Sequence, residues 1–452
     1  MVSAMKFKFL SSATTCFVLA SACVASAVFA NDITADLSNQ IVEDYDYMNA
    51  LYRHLHQYPE LSKKEHKTSQ RLAEELEKIG YTVTRGLGGT GLVAILENGD
   101  GPTLMLRADM DALPVAEQTS LPYASQVKTL DDAGNTVSVM HACGHDIHMT
   151  VVLGTARQMA ANKATWQGRL MLVLQPAEEI GYGAKAMLSD GLFTKFPTPD
   201  YNLTMHVSAD LPAGTIGYVK GYAMANVDSV DIRVKGQGGH GAYPHKTKDP
   251  VVIAAGIIMQ LQTIVSREIS PLESSVITVG SIHGGTKHNI IGNAVDLQLT
   301  VRSYSDSSRD YLLKRIKEIS EGVAMTAGLS DDLLPVVKVK NEYTPAVYNQ
   351  PEYTQGVVTQ LKSAIGDEQI IEVPPVMAGE DFSRYGRTAD KIPSALLWLG
   401  AVNTAKYQQA KQQATSLPSL HSPKFAPDPE PTIKTGIKGM TSAALMLLAK
   451  AN

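Results

Sequence analysis

The sequence predicts an α/β protein, with one larger domain whose mixed sheet has helices on both faces and a smaller α+β domain inserted into it. Near both ends of the chain, short apolar runs alternate with helical ones, as strands buried on both faces do. The middle of the chain alternates apolar and polar residues, as strands with one wet face do. Its 452 residues exceed the roughly 250–300 that one hydrophobic core holds, so we expect at least two domains.

The first thirty residues have the layout of a cleavable signal peptide. Lys6 and Lys8 form a basic start, and an apolar stretch rich in Ala and Val ends in small residues at Ala30. This stretch is shorter than the ~20 residues that a membrane span needs. We expect cleavage before Asn31, a secreted or periplasmic location, and no stable membrane span after processing. An uncleaved anchor and a lipid-modified Cys23 are the alternatives.

Charge and cysteine content exclude some classes of function. Without Lys6 and Lys8, the formal net charge moves from −5 to −7, which is 38 basic minus 45 acidic residues. A mildly acidic chain argues against nucleic acid or an anionic membrane as the partner. Cys16 and Cys23 lie in the leader, so the mature chain keeps only Cys143. It therefore has no internal disulfide, and Cys143 needs another explanation.

A helical pattern from Tyr45 to Gly80 comes first, interrupted at Tyr58-Pro59 and resuming at Ser62. Buried strands are predicted at Gly91–Leu96, Thr103–Arg107, Arg169–Leu174, Asn202–Met205 and Ala395–Leu399. Helices between them are predicted at Met149–Ala161 and Gly183–Leu188. This alternation of strands and helices is typical of a layered α/β domain.

The middle of the chain predicts a separate lid. Half-exposed strands are predicted at Ser229–Val234, Ser275–Ile282 and Ala294–Tyr304, and helices at Pro250–Ser266 and Ser307–Ala327. Two helices on one face of an antiparallel sheet form a small α+β unit. We expect Asn226–Lys340 to form this lid, which divides the larger domain into residues 31–225 and 341–452.

Polar clusters flank the predicted core strands. They are Arg107-Ala-Asp109-Met-Asp111, Gln175-Pro-Ala-Glu178-Glu179, His206, and His141-Ala-Cys143-Gly-His145-Asp146. The first two follow strands, the third ends a strand, and the last directly precedes a helix. In open α/β sheets, ligands bind beyond the carboxyl ends of the strands. We therefore expect a site where these clusters meet.

Two of the clusters suggest a metal site. In extended backbone, Cys143 and His145 point the same way and can share one ion; the alternative is a buried structural cysteine beside an incidental histidine. Glu178 and Glu179 suit metal-assisted hydrolysis, in which one carboxylate ligates and the other moves the proton. Alternatively, these acids could simply interact with the positive end of a helix dipole. A lone histidine such as His206 is more often structural.

Taken together, the motifs resemble a known family. They are RHLHQYPELS (Arg53–Ser62), RADMDALP (Arg107–Pro114), MHACGHDIH (Met140–His148), QPAEE (Gln175–Glu179), MHV (Met205–Val207), GQGGHGAYPH (Gly236–His245), GEDF (Gly379–Phe382) and LHSP (Leu420–Pro423). In this order they resemble the zinc-type aminoacylase and carboxypeptidase superfamily, specifically its amidohydrolase branch of hippurate and indoleacetyl–amino acid conjugate hydrolases. The resemblance covers nearly all of the mature chain, and CGHD with PAEE is its most specific part.

The resemblance implies a dinuclear metal site and a catalytic base. It assigns two divalent cations to Cys143, His145, Glu179, His206 and His421. Glu178 becomes the general base and then the acid. Zn²⁺ and Mn²⁺ both fit mixed N/O/S ligands, and Co²⁺ or Ni²⁺ could replace them in vitro.

The resemblance also implies roles outside the ligand set. His240 of the lid reaches the substrate and stabilises the oxyanion, in the partner subunit of a homodimer or higher homo-oligomer formed through the lid. Asn289 lies near the substrate carboxylate. Asp111 orients His145 from outside the ligand set, with a solvated turn acid as the alternative. In the loop after Asn289, Gly292 and Asn293 replace the usual Pro-Asp. The preference for particular substrate side chains is therefore the part of the resemblance that transfers least.

The predicted function is metal-dependent hydrolysis of small N-acyl or N-aroyl amino acids to a carboxylic acid and a free amino acid. A carboxypeptidase or dipeptidase on the same scaffold is the first alternative. A catalytically silent, ligand-binding relative is the second, and it predicts a broken ligand or a lost base. Neither defect is present, because no ligand of the set is broken and the base Glu178 is kept.

Overall fold

The computed structural model describes residues 16–341 and 343–450, with the backbone alone for residues 16–35. Residues 1–15 of the predicted signal peptide lie outside the described residues, so its cleavage and the secreted or periplasmic location stay predictions. The first described helix begins at Cys16 and ends at Gln57.

The described residues form eighteen strands and eleven α-helices. The strands are β1 (Thr82–Leu87), β2 (Gly91–Asn98), β3 (Thr103–Asp109), β4 (Lys128–Leu130), β5 (Thr136–Ser138), β6 (Gly168–Gln175), β7 (Tyr201–Pro212), β8 (Ile216–Tyr218), β9 (Gly221–Met224), β10 (Asn226–Lys235), β11 (Gly239–His240), β12 (Ser275–Gly284), β13 (Ile290–Ile291), β14 (Ala294–Ser303), β15 (Val336–Val339), β16 (Val347–Asn349), β17 (Ile370–Glu372) and β18 (Ser394–Val402). The helices are α1 (Cys16–Gln57), α2 (His66–Lys78), α3 (His145–Ala161), α4 (Gly183–Ser189), α5 (Leu192–Lys195), α6 (Pro250–Thr263), α7 (Asp306–Thr326), α8 (Pro351–Ile365), α9 (Ser383–Gly386), α10 (Thr404–Gln413) and α11 (Pro429–Leu447).

The larger sheet has eight strands in the order β1-β2-β6-β3-β7-β18-β8-β17. Its centre, β6-β3-β7-β18, is parallel, and antiparallel pairs flank it on both sides. Every residue of β3 and β18 is buried. Leu104 and Leu106 of β3 pack with α1, α3 and α11 on one face, whereas Met105 packs with α4 and α9 on the other. Helices on both faces explain the continuous apolar runs of these strands, and the predicted α/β class is confirmed.

The smaller sheet is antiparallel, in the order β12-β14-β10-β15. Val230, Ile232 and Val234 of β10 form a core with α6 and α7, which cover one face of the sheet. The alternate residues Asp231 and Arg233 point to the other face and are partly or fully exposed. All four strands lie between Asn226 and Val339. The period-2 pattern therefore identified three of them, while β15 is too short to show it.

The helical stretch Pro250–Glu268, which is α6 and the π-helical turn after it, is long and apolar enough to cross a membrane. Ile253, Ile257 and Leu261 of this stretch are buried against the smaller sheet. Val252 and Met259 lie on its other side and are 68% and 69% exposed. One side of α6 is therefore a core face, and the other is an exposed apolar stripe.

Several boundaries differ from the predictions; α3, for example, begins at His145 rather than at Met149. The prediction that a strand ends at His206 is wrong, because β7 continues to Pro212 and pairs with β18 along that length. The second helix starts at His66 rather than at Ser62. Residues 62–65 form a turn or irregular structure instead, and the hydroxyl of Ser62 donates to Asp111 within the larger domain.

Candidate metal centre

The predicted site lies where the central parallel strands end. The last pair between β3 and β6 is Asp109 with Gln175, and the pairing of β3 with β7 stops at Arg107 with Thr204. His206 is two residues further along β7. It is therefore in mid-strand, but beyond the last residue pair that β7 forms with its neighbour β3. A sheet edge of this kind leaves a crevice in which side chains from several strands can meet.

A left-handed turn, rather than extended backbone, brings Cys143 and His145 to this crevice. Gly144 has φ 75° and ψ 25° and immediately precedes α3, so the predicted extended conformation is wrong. A Cβ atom at Gly144 would lie 2.6 Å from Cγ2 of Val207 on β7. Both the positive φ and the close approach of the turn to the sheet therefore favour glycine at this position.

Glu178 and Glu179 also lie in a turn. α4 begins only at Gly183, so the alternative that these acids favour a helix dipole is wrong. The Asp111 carboxylate accepts the backbone N–H groups of both acids, at 3.1 and 3.0 Å, and the Ser62 hydroxyl at 2.6 Å. Asp111 thereby fixes the conformation of the turn that carries the two acids.

Asp111 also contacts His145, as the sequence predicts for an orienting residue. Nδ1 of His145 lies 2.7 Å from the backbone carbonyl of Asp111 and 3.5 Å from its carboxylate. The carbonyl is thus the closer partner, and it holds the ring with Nε2 free for a ligand. Asp111 is 1% exposed, so the alternative of a solvated turn acid is wrong.

The five predicted ligands converge on Glu179. Cys143, Glu179 and His421 place one ligand atom each within 4.8 Å of one another, and His145, Glu178 and Glu179 do the same. Nε2 of His421 lies 3.4 Å, and Nε2 of His145 3.8 Å, from the Glu179 carboxylate. Sγ of Cys143 lies 3.5 Å from Nε2 of His206. These contacts connect all five side chains in one cluster.

His421 reaches the cluster through an unusual backbone conformation. Its φ is 66°, in the left-handed region that non-glycine residues rarely adopt. Its backbone N–H donates to the carbonyl of Ala142, one residue before Cys143, at 2.9 Å. Such strain is typical of functional positions, and here it places the ring beside Glu179.

Two orphaned atoms show that this donor set fits a divalent cation. Nε2 of His145 and Oε1 of Glu179 are buried and have no hydrogen-bond partner among the described residues. A buried polar atom without a partner costs about 1–3 kcal/mol. Imidazole nitrogen, carboxylate oxygen and thiolate sulfur are the ligands that Zn²⁺ and similar ions take.

The site also carries more buried negative charge than its own cations balance. Burial raises the pKa of Glu178 well above its ordinary value, and the charges of Glu380 and Glu179 raise it further. Burial and Asp111 raise the pKa of Glu179 to about 7. Burial and Glu179 likewise raise the pKa of the Cys143 thiol. Positive ions at this place would reverse these shifts.

Sequence reasoning gave no role to several residues that support the cluster. Arg107 is 1% exposed and donates to Asp109 at 2.8 Å and to Glu380 at 2.9 and 3.1 Å. Asp109 lies 2.6 Å from Nδ1 of His148 and 3.5 Å from Nε2 of His145. The alternating acids of RADMDALP and the pair in GEDF were the available signals. They give no indication that residues 273 positions apart form one network.

A cavity of about 570 Å³ opens onto the cluster and is lined by both sheets. From the larger domain its walls include Cys143, Glu178, Glu179, His206 and His421, and from the smaller sheet Val227, Ser229 and Arg302. A substrate in this space would contact the candidate ligands on one side and the predicted lid on the other.

His240 and Asn289 are not among the residues that line this cavity. β11 and β13 form a two-residue ladder that pairs His240 with Ile290, and the N–H of Gly241 donates to the carbonyl of Asn289 at 2.9 Å. Both side chains belong to exposed residues. The structure therefore brings the two lid residues together, but outside the lining of the cavity that holds the candidate metal ligands of their own chain.

Known proteins are similar to this chain over most of its length. Residues 105–422 match the model of peptidase family M20/M25/M40. Thermostable carboxypeptidase 1 of Saccharolobus solfataricus is 36% identical over 90% of this chain and 96% of its own length. N-acetyldiaminopimelate deacetylase of Bacillus subtilis is 37% identical over 87% of this chain and 96% of its own length. The Bacillus subtilis YXEP protein, a dinuclear metal-binding peptidase of the M20 family, superposes with a TM-score of 0.72 at 28% identity, over 89% of this chain and 98% of its own.

Proposed function

Because this chain belongs to peptidase family M20/M25/M40 and is a metal-dependent hydrolase, we propose that it hydrolyses small N-acyl or N-aroyl amino acids. The products are a carboxylic acid and a free amino acid. Two divalent cations held by Cys143, His145, Glu179, His206 and His421 would activate a water molecule and polarise the scissile carbonyl. Zn²⁺ and Mn²⁺ are the proposed ions.

Glu178 supplies the proton transfers in this proposal. It lines the cavity, and its backbone N–H is held by Asp111. Its carboxylate lies within 4.8 Å of ligand atoms of Glu179 and His145. Glu178 can take the proton of the attacking water and return it to the leaving amine. Both steps occur at one carboxylate because the turn points it into the cavity.

Arg302 is the observation that carries the substrate class. It extends from β14 into the cavity, and its hydrogen bonds go to the hydroxyl of Thr300 at 2.9 Å and the carbonyl of Met377 at 3.4 Å. No carboxylate among the described residues forms an ion pair with Arg302, so its charge lacks a compensating partner. Partial burial lowers the pKa of Arg302. A guanidinium that faces a metal site without an acidic partner selects a substrate with a carboxylate.

The apolar part of the cavity wall favours an acyl group over a free amine. Met224, Val227, Trp398 and Leu420 line the same space. An acyl or aroyl chain can bury itself against these side chains, whereas the ammonium group of a dipeptide would lose its hydration there. The carboxypeptidase or dipeptidase alternative is therefore the second candidate.

We propose a homodimer or higher homo-oligomer formed through the lid, in which His240 and Asn289 enter the partner's cavity. The exposed apolar stripe of α6, with Val252 and Met259, supports an interface on the lid. β12 supports it too, because it is an edge strand of the smaller sheet with unpaired backbone groups along one side. His240 in the partner's cavity would donate to the oxyanion as it forms.

A hydrolysis screen tests the substrate class. The purified mature protein is chelated, reloaded with Zn²⁺, Mn²⁺, Co²⁺ or Ni²⁺, and assayed on N-acetyl and N-benzoyl amino acids, their C-terminal amides, and dipeptides. We expect turnover of the acyl amino acids and little of the amides, which lack the carboxylate for Arg302. Faster turnover of dipeptides would favour the alternative. Turnover of none of them would favour the silent relative.

The proposed location has its own test. If the leader is cleaved, the protein from the cell envelope of its native host begins at or near Asn31. An intact Met1 start on a cytosolic protein would contradict the secreted or periplasmic location, and a lipid on Cys23 would indicate the lipoprotein alternative.

A further inference from the structure

A second cavity, separate from the metal centre, lies between the end of α1, the start of α2 and strand β4. Its volume is about 540 Å³, and none of the five candidate metal ligands lines it. Four basic side chains do line it: Lys64, Lys67, Arg71 and Lys128. We propose that this basic cavity binds a soluble phosphate dianion, either free phosphate or a small phosphomonoester.

The positive charge of the basic cavity is mostly uncompensated. Lys67 and Lys128 have no ion pair within residues 16–341 and 343–450, and both are exposed. Lys64 pairs at 3.4 Å with Asp132, whose side chain is 87% exposed, and such a pair is worth little in water. Glu60 is the one acid among the described residues that line the cavity. The chain as a whole carries −5, so this local excess runs against its average.

The acid inside the basic cavity is already in use. Oε2 of Glu60 accepts both the backbone N–H and the hydroxyl of Thr68, at 2.8 and 2.9 Å. These bonds occupy Oε2 of Glu60 with the first turn of α2. Arg71 binds Glu75 through one Nη at 3.1 Å. Its Nε is buried and has no hydrogen-bond partner in the part of the chain that the structure describes.

This arrangement is unfavourable for the empty protein. Lys67 and Arg71 are four residues apart on α2, where like charges repel by a few tenths of a kcal/mol. Lys67 also sits in the first turn of α2, the end at which the helix dipole disfavours a cation. The buried Nε of Arg71 adds a desolvated donor without an acceptor. An anion in the basic cavity would reduce the first two of these costs.

Phosphate fits these donors better than a carboxylate. Two unpaired lysines and the free side of an arginine approach the space from α2 and from β4. A phosphate dianion brings two charges and several acceptor oxygens to this set, and it matches the arginine fork. A monocarboxylate would neutralise only one cation and leave the others unpaired.

Titration calorimetry on the metal-loaded protein tests the proposal, with inorganic phosphate and glycerol 3-phosphate as probes. The double variant Lys67→Gln/Lys128→Gln removes two cavity cations. Lys406→Gln/Lys411→Gln removes two exposed lysines of α10 and is the charge-matched control. We expect the wild type and the control to bind alike, and the cavity variant to bind at least about tenfold more weakly, as expected for the loss of charged hydrogen bonds. Binding should weaken with added salt.

A thermal measurement separates this cavity from the metal centre. Phosphate should raise the Tm of the wild type and the control, but not that of the cavity variant, while all three hydrolyse substrate at the same rate without phosphate. Equal phosphate binding by all three proteins would place the anion elsewhere and overturn the proposal. Absence of binding to the wild type, or binding only to vesicles that contain phosphatidic acid, would overturn it as well.

Discussion

The metal side of the cavity, which is the wall with the candidate ligands, is complete within one chain, whereas the lid tip, which is β11 and β13 with His240 and Asn289, is not part of that cavity. Cys143 and His145 are buried, the side chain of Glu179 is 8% exposed, and their donor atoms lie within a few ångströms of other candidate ligands of the same chain. His240 and Asn289 are exposed, and the described polar contacts at these two residues are to their own strand pair and its turn. The first half is therefore preorganised within one chain, and we propose that the second half acts on a partner's surface.

The difference follows from what holds each half in place. The metal side rests on strand ends of an eight-stranded sheet, and buried ion pairs such as Arg107 with Glu380 tie distant segments together. The lid tip rests on β11 and β13, two residues each. A site built on a rigid sheet can fix ligand geometry, whereas a short exposed ladder can present a side chain to a partner.

Loss of metal should have the largest effect. Chelation should abolish turnover, and Cys143→Ala should bind fewer than two ions per chain, because the thiolate is one of the proposed ligands. Since the pKa of Cys143 is raised, its thiol must lose a proton on binding, so metal affinity should increase with pH. Elemental analysis measures the stoichiometry, and Cys143→Ser is the conservative comparison. Two tightly bound ions in Cys143→Ala would return this residue to a structural role.

Removal of the lid histidine should come next. His240→Ala should retain both metal ions but lower kcat by about 10²–10³-fold, with a smaller change in KM, because the donor acts only on transition-state charge. Steady-state kinetics and metal analysis measure the two properties together. His245→Ala, a histidine in the short helical turn after the same strand, is the matched control. Normal kcat in His240→Ala would show that the lid tip takes no part in turnover.

A mixing experiment tests whether His240 acts in the cavity of its own chain or in that of the partner chain. Glu178→Gln and His240→Ala should each have at most about a hundredth of wild-type activity alone. In mixed dimers, one of the two sites combines an intact Glu178 with an intact His240 from the other chain. Equal mixing with exchange of subunits should therefore restore about a quarter of wild-type activity. No recovery, with mixed dimers shown by mass spectrometry, would contradict the proposed contribution of the lid to the partner.

Arg302 should have a smaller effect, confined to binding. Arg302→Gln should raise KM about 10–100-fold for N-acyl amino acids, the usual range for the loss of a charged hydrogen bond to a carboxylate. Turnover of the corresponding C-terminal amides should not change. An equal loss on both substrate types would mean that Arg302 supports the cavity wall instead of the substrate carboxylate.

Gly144→Ala should have the smallest effect on chemistry and act through stability. Its Cβ would collide with Val207 and require a positive φ, which should cost about 1–3 kcal/mol. Thermal unfolding of the metal-free protein measures this cost, with Gly322→Ala as the control, because a Cβ at Gly322 meets no atom within 4 Å. Equal stability of the two variants would show that the turn relaxes freely.

The sequence predicted the elements better than the geometry that connects them. Continuous apolar runs identified the central strands such as β3, because burial on both faces leaves a strong local signal. The turns were misjudged. Nothing local distinguishes an extended Cys-Gly-His from one with Gly144 in the left-handed region, since that choice depends on the contact with Val207.

The support for the site was hidden for a similar reason. Arg107, Asp109 and Glu380 form ion pairs only after folding brings β3 next to the segment before α9. The candidate ligand residues were identified through motif resemblance. Motifs give the spacing of residues along the chain, but not which residues contact each other in the folded protein. Short edge strands such as β15 were missed because four residues hold too few periods of the alternating pattern.

The central claim is that Glu178 moves protons while its neighbour Glu179 holds metal. Both acids lie in one turn and have raised pKa values, so only the paired variants Glu178→Gln and Glu179→Gln separate them. Metal content and turnover of the two proteins are the direct test. Glu178→Gln should keep both ions and lose at least about 10⁴-fold in kcat, the top of the usual range, because one residue serves both proton transfers. Glu179→Gln should lose metal and recover part of its activity at high metal concentration. Metal loss in Glu178→Gln with retention in Glu179→Gln would reverse the assignment, and full activity in both would contradict the mechanism.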